Sequence, residues 1–285
     1  MRNRWCVAVV GALLVVGCQR GDPSAGSARD HDPDPARIGP QGRVAQFIVQ
    51  CAVSHIDFDD PIVLPGQPGA SHQHQFFGNT ATTADPDYER MLDAETSCDQ
   101  RLDTAAYWSP TLLGPDGRVI PADSLTAYYR PGNGVDPADV VAYPPGFMMV
   151  TGSGPADESP GHDAIAWSCG SGAVRGDTPP ACPPDTTLRL VVTFPDCWDE
   201  RRLTSFGSAA HVRYSDDGCP ETHPVPIPQL QLAIDYPPVD PEGLSFSSGP
   251  IDSAHADFWN TWDQEKLERE VAVCLNRNLV CGVSG

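Results

Sequence analysis

Hydrophobic positions along this chain fall in short runs instead of long periodic stretches. The runs are 47–53, 107–113, 125–130, 147–151, 164–169, 188–194, 210–214 and 229–236, each bounded by Gly, Pro, Asp or Asn. Runs of this length between turn residues predict short strands. The two best, Leu188-Arg189-Leu190-Val191-Val192-Thr193-Phe194 and Leu230-Gln231-Leu232-Ala233-Ile234-Asp235-Tyr236, alternate well enough to be half-buried antiparallel strands. Only the C-terminal part reads as helix. There Thr261 and Gln264 have capping-box spacing, and Trp262, Leu267, Val271 and Cys274 or Leu275 fall near one face, which predicts a helix near residues 262–275 packed on a sheet. The expected fold is therefore mainly β, an antiparallel β-sandwich or jelly-roll with one C-terminal helix.

The first residues follow a different pattern. Arg2 and Arg4 precede an almost wholly apolar run from Trp5 to Val16, too short to span a bilayer, and the run ends Val15-Val16-Gly17-Cys18. This predicts a lipoprotein signal peptide over 1–17 and a lipid on Cys18 that anchors the chain to a bacterial membrane surface outside the cytoplasm. Residues 18–43, with Asp30-His31-Asp32-Pro33-Asp34-Pro35, have no apolar period and read as a tether. Residues 44–285 form a single β-rich domain in this reading.

Composition adds two constraints. With 18 Lys plus Arg against 38 Asp plus Glu, the net charge of −20 repels polyanions, so nucleic acid is excluded as a partner. Ten cysteines become eight once Cys6 leaves with the signal and Cys18 is acylated. In an oxidising compartment an even number of cysteines without CxxC spacing predicts structural disulfides, here four, which brace the sandwich. Cys169 with Cys182 and Cys274 with Cys281 are close enough in sequence to close local loops.

The histidines carry the chemical signal. In Ser71-His72-Gln73-His74 the imidazoles stand at i and i+2, so extended backbone projects both to one side and allows them to chelate one ion. His211, His223 and His255 lie in separate words that supply further ligands if the fold converges on them, giving a candidate metal set of His72, His74, His211, His223 and His255. Neutral imidazole suits a single zinc or copper ion. For catalysis the candidates are His74, His211 and His255 with Asp257 and Asp196, both acids in aromatic surroundings where burial raises a carboxyl pKa. His55, Asp57 and Asp59 can share a face of an alternating segment, although Asp59 and Asp60 read more simply as a solvated strand end before Pro61. Ala166-Trp167-Ser168-Cys169-Gly170 is a poor nucleophile elbow, and no phosphate-binding loop or dinucleotide fingerprint occurs, so no nucleotide cofactor is expected.

The words that hold these residues also carry a resemblance. In order they are Asp60-Pro61-Ile62-Val63, Ser71-His72-Gln73-His74, Tyr107-Trp108-Ser109-Pro110, Phe194-Pro195-Asp196-Cys197-Trp198-Asp199, His211-Val212-Arg213-Tyr214, Cys219-Pro220-Glu221-Thr222-His223-Pro224 and His255-Ala256-Asp257-Phe258-Trp259. Over nearly all of residues 47–275 the chain resembles the secreted fungal and bacterial family called domain of unknown function nineteen ninety-six. One stretch departs from the family's pattern: the histidine usual before His211 is missing from Thr204-Ser205-Phe206-Gly207-Ser208. The resemblance implies that the histidine words belong to one domain and names no activity.

Two classes of function follow. One is a surface hydrolase or lyase acting on extracellular polysaccharide, its histidines lining a pocket and Trp108, Trp198, Trp259 and Trp262 stacking on sugar rings. The other is non-catalytic, either a zinc- or copper-binding surface protein or a wall-binding structural module.

Overall fold

A computed structural model describes residues 45–85, 87–152, 164–172, 174–205 and 210–282. The signal and tether readings at residues 1–43, including Cys18, fall outside these. The fold is mainly β, built on two antiparallel sheets. The larger has six strands in the spatial order Val280–Gly282, Gln46–Cys51, Ser124–Arg130, Gln229–Tyr236, Leu188–Thr193 and Ile165–Cys169, with only the Val280–Gly282 pairing parallel. The smaller has five, in the order Val53–Asp57, His74–Gly78, Ala106–Pro110, His255–Trp259 and Met148–Gly152. Two minor three-stranded sheets complete it among the described residues.

Strand alternation decides what each face buries. In the five-stranded sheet Phe77, Tyr107, Phe258 and Met149 lie in register across four strands and face the larger sheet, where Phe47, Tyr129 and Leu230 meet them in one continuous core. Tyr107 and Tyr129 touch through their hydroxyls across this interface, and Gln75 Nε2 donates to Tyr236 Oη at 2.7 Å. The opposite face of the smaller sheet is covered too. Phe76, Trp108, Trp259 and Ala106 form a second buried cluster with Ile62 and with Met91 of the short helix Tyr88–Leu92. Both faces of the sheet's central strands are therefore largely covered, so these do not show a clean polar alternation.

The helix Gln264–Glu270 continues through one wide turn over Val271–Leu275 and buries Leu267, Val271, Cys274 and Leu275. Its cap differs from the expectation. Asp263, not Thr261, accepts from the Lys266 N–H at 2.9 Å, because the Thr261 hydroxyl is spent on the Thr104 carbonyl. Four disulfides brace the domain: Cys51–Cys98, Cys169–Cys182, Cys197–Cys219 and Cys274–Cys281. No described helix is long and apolar enough to cross a membrane.

Candidate metal centre

The covered face of the five-stranded sheet carries the site. His74 begins one strand and His255 another, with Ala106–Pro110 between them. Pro110 pairs with His74, and two residues along that strand Trp108 pairs with Asp257, so His74 and His255 approach over the proline end of the intervening strand. His72 lies two residues before His74 and reaches the same place, its ring centroid 4.3 Å from that of His74 and 5.0 Å from that of His255. One ring nitrogen from each of the three lies within 4.8 Å of the others.

Backbone carbonyls fix the ring chemistry. Nδ1–H of His74 donates to the Asp59 carbonyl at 2.9 Å, and Nδ1–H of His255 donates to the Ser253 carbonyl at 2.9 Å. In each neutral ring that leaves Nε2 with a lone pair, the arrangement in which imidazoles bind metals. The buried Nε2 of His74 has no protein partner, while His72 Nε2 stands 3.2 Å from His255 Nε2. That spacing suits a hydrogen bond from His72; it also suits two ligands of one ion, since zinc–nitrogen bonds of about 2.0–2.1 Å at a tetrahedral angle put nitrogens ~3.3 Å apart. Burial keeps all three rings neutral: it lowers the His72 pKa to about 4 with help from His255, holds His74 well below the ordinary value, and lowers His255. His74 is buried and the other two half-buried, so the group meets solvent at its His72 and His255 side.

Asp257 shares the face two residues beyond His255. It is fully buried, neither carboxylate oxygen has a protein partner, and burial with the nearby charge of Asp60 raises its pKa well above the carboxylate range. Asp59 and Asp60 are not a solvated strand end. Both are buried and clamp the segment over this face: Asp59 accepts from the Gly69 and Ala84 N–H groups at 2.8 and 2.9 Å, and Asp60 from those of Ile62 and Val63 at 2.9 Å each. His55 stacks on Phe76 and bonds the Thr82 carbonyl through Nε2.

The other proposed site residues lie elsewhere. His211 packs on Phe147, which precedes Met148 at the far end of the strand whose Gly152 pairs with His255, and its Nδ1 bonds Ser205 Oγ. His223 uses Nε2 on the Ala210 carbonyl and Nδ1 on Thr222, so both its nitrogens are occupied. Asp196 is fully buried and accepts from the Ser215 N–H and from Gln229 Nε2, tying loops together. Neither His211 nor His223 joins the group of three, because their words pair around Cys197–Trp198 in a minor sheet. Of the four tryptophans expected to stack on sugar rings, Trp108, Trp259 and Trp262 are fully buried and only Trp198 is partly accessible.

A family model described as domain of unknown function (DUF1996) matches residues 60–262, most of the domain and both words that hold the three grouped histidines. The chain belongs to this family. No curated protein and no solved structure matches it.

Proposed function

We propose that the protein is a metal-binding surface protein that holds one zinc or copper ion on His72, His74 and His255. The observation that carries this reading is the presentation of His74 and His255: each is locked by a backbone carbonyl so that its Nε2 lone pair faces a shared point. His223 spends both nitrogens on protein partners, and the buried Nε2 of His211 is unpartnered but stands apart from the group, so the convergence of three rings is what marks the site. Three imidazoles leave a fourth tetrahedral position for water. The export signal and Cys18 anchor read from the sequence would put this ion outside the cytoplasm, where metals are captured or delivered.

The glycan-active reading draws less support. It needs exposed aromatic faces, and three of its four tryptophans serve the core. Calorimetric titration of zinc and of copper into the folded domain tests the proposal. One equivalent is expected, with His74→Ala and His255→Ala each weakening it at least tenfold and His223→Ala leaving it unchanged. Unaltered affinity in both folded variants would overturn it.

A further inference from the structure

On the outer face of the six-stranded sheet two arginines converge on one amide, with no ion pair to an acid among the described residues. Arg130 ends the strand Ser124–Arg130, and Arg175 lies in the loop closed by Cys169–Cys182. Each directs a terminal guanidinium nitrogen at one oxygen, Gln231 Oε1, at 3.2 Å from Arg130 and 3.4 Å from Arg175. The amide cannot turn away, since its Nε2 donates to Thr193 Oγ1 at 2.8 Å. Arg175 is also positioned, because Gly176 beside it exchanges two backbone hydrogen bonds with Trp167 at 2.7 and 3.0 Å.

Among the described residues no carboxylate forms an ion pair with either arginine. Nε of Arg130 is buried without a partner, its guanidinium lies 5.2 Å from the Tyr128 ring centroid, and burial first and the positive charge of Arg175 second disfavour its charge. Asp235, an acid on the same face, is already engaged by Arg189 at 2.6 and 2.8 Å. Arg202 and Arg118, by contrast, meet carboxylates, those of Asp199 and Asp116. Two like charges held on one neutral amide oxygen in a protein of net charge −20 are costly unless a mobile anion joins them.

We infer that Arg130, Arg175 and Gln231 form a binding site for a small oxyanion, the guanidinium forks meeting a tetrahedral or planar group of the phosphate, sulfate or carboxylate kind. The strongly acidic remainder of the molecule repels extended polyanions, so the ligand is a single anionic group and not a charged polymer. This site shares no residue with the histidine group, and the two stand or fall separately.

Inorganic phosphate, sulfate and acetate, titrated in separate arms into the full domain at constant ionic strength, provide the test. Saturable 1:1 binding of at least one anion is expected, weakened roughly tenfold or more in Arg175→Gln and in Arg130→Gln and unaffected in Arg118→Gln. Arg175 is exposed, so its variant keeps the test valid if Arg130→Gln fails to fold. The arms also distinguish a dianionic from a carboxylate ligand by which anion binds most tightly. No saturable binding, or binding unaltered by Arg175→Gln, would sink the inference.

Discussion

Gly152 has no side chain because His255 leaves no room for one. The two residues pair across neighbouring strands, and a Cβ on Gly152 would come within 2.5 Å of His255 Cα and 2.4 Å of the Ala254 carbonyl, at a φ of +118° that side chains rarely adopt. Gly152→Ala should therefore push the His255 backbone out of line. We expect a loss of about 1–3 kcal/mol in stability and a metal affinity lowered at least as much as ligand orientation usually matters, roughly tenfold; urea unfolding and calorimetry on the same sample check both. His211 makes a different prediction. Burial lowers its pKa to about 4 from 6.5, so the folded state binds fewer protons than the unfolded chain between those values. Its contribution is complete above pH 6.5, where both states are neutral, and falls as the pH drops from 6.5 to about 4, at up to about 1.4 kcal/mol per pH unit. His211→Gln should flatten that limb of a stability–pH curve, and an unchanged slope would show that other groups set it.

At the scale of elements, the disulfides differ in what they restrain. Cys51–Cys98 closes 47 residues and joins a strand of the larger sheet to the segment leading into the smaller one, whereas Cys274–Cys281 closes only 7 at the end of the helix. Loop-closure entropy then predicts losses of about 4 kcal/mol for a Cys51→Ser/Cys98→Ser pair and about 2 kcal/mol for Cys274→Ser/Cys281→Ser, measured from denaturation midpoints under equal conditions. The two short loops were legible in the sequence because proximity alone suggests them; the two long ones depend on strand order. The same division runs through the site. His72 and His74 announce themselves because an i, i+2 pair on extended backbone needs no tertiary information. His255 was indistinguishable from His211 and His223, since each is one histidine in a polar word. Only the order His74–Gly78, Ala106–Pro110, His255–Trp259 separates them. The strands that begin with His74 and His255 were themselves obscured, because a sheet covered on both faces buries polar and apolar positions alike: Gln75, Asp257 and Phe76 are all fully buried. The arginine pair left no local signal at all, its members being 45 residues apart and joined only through Gln231.

For the whole molecule, the histidine group spans the sheet and is not a local clip. His72, two residues before the strand that His74 begins, is 183 residues from His255, and the strands His74–Gly78 and His255–Trp259 are separated by a third. An ion held there binds the native state and has no comparable site in the unfolded chain, where the three rings are scattered and no carbonyl orients them. By linkage the domain gains about 2.7 kcal/mol when free metal is 100-fold above its dissociation constant. In a domain of this size that amounts to roughly 5–10 °C in the unfolding midpoint. Zinc or copper added to chelator-treated protein should produce that rise in a calorimetric scan. His255→Ala should lower the starting midpoint and also abolish the rise, whereas Arg175→Gln, on the opposite sheet, should retain it in full. A metal-induced rise of equal size in folded His255→Ala would mean that the ion sits elsewhere; a rise that disappears in Arg175→Gln would mean that the two faces are coupled through the core that Tyr107 and Tyr129 join.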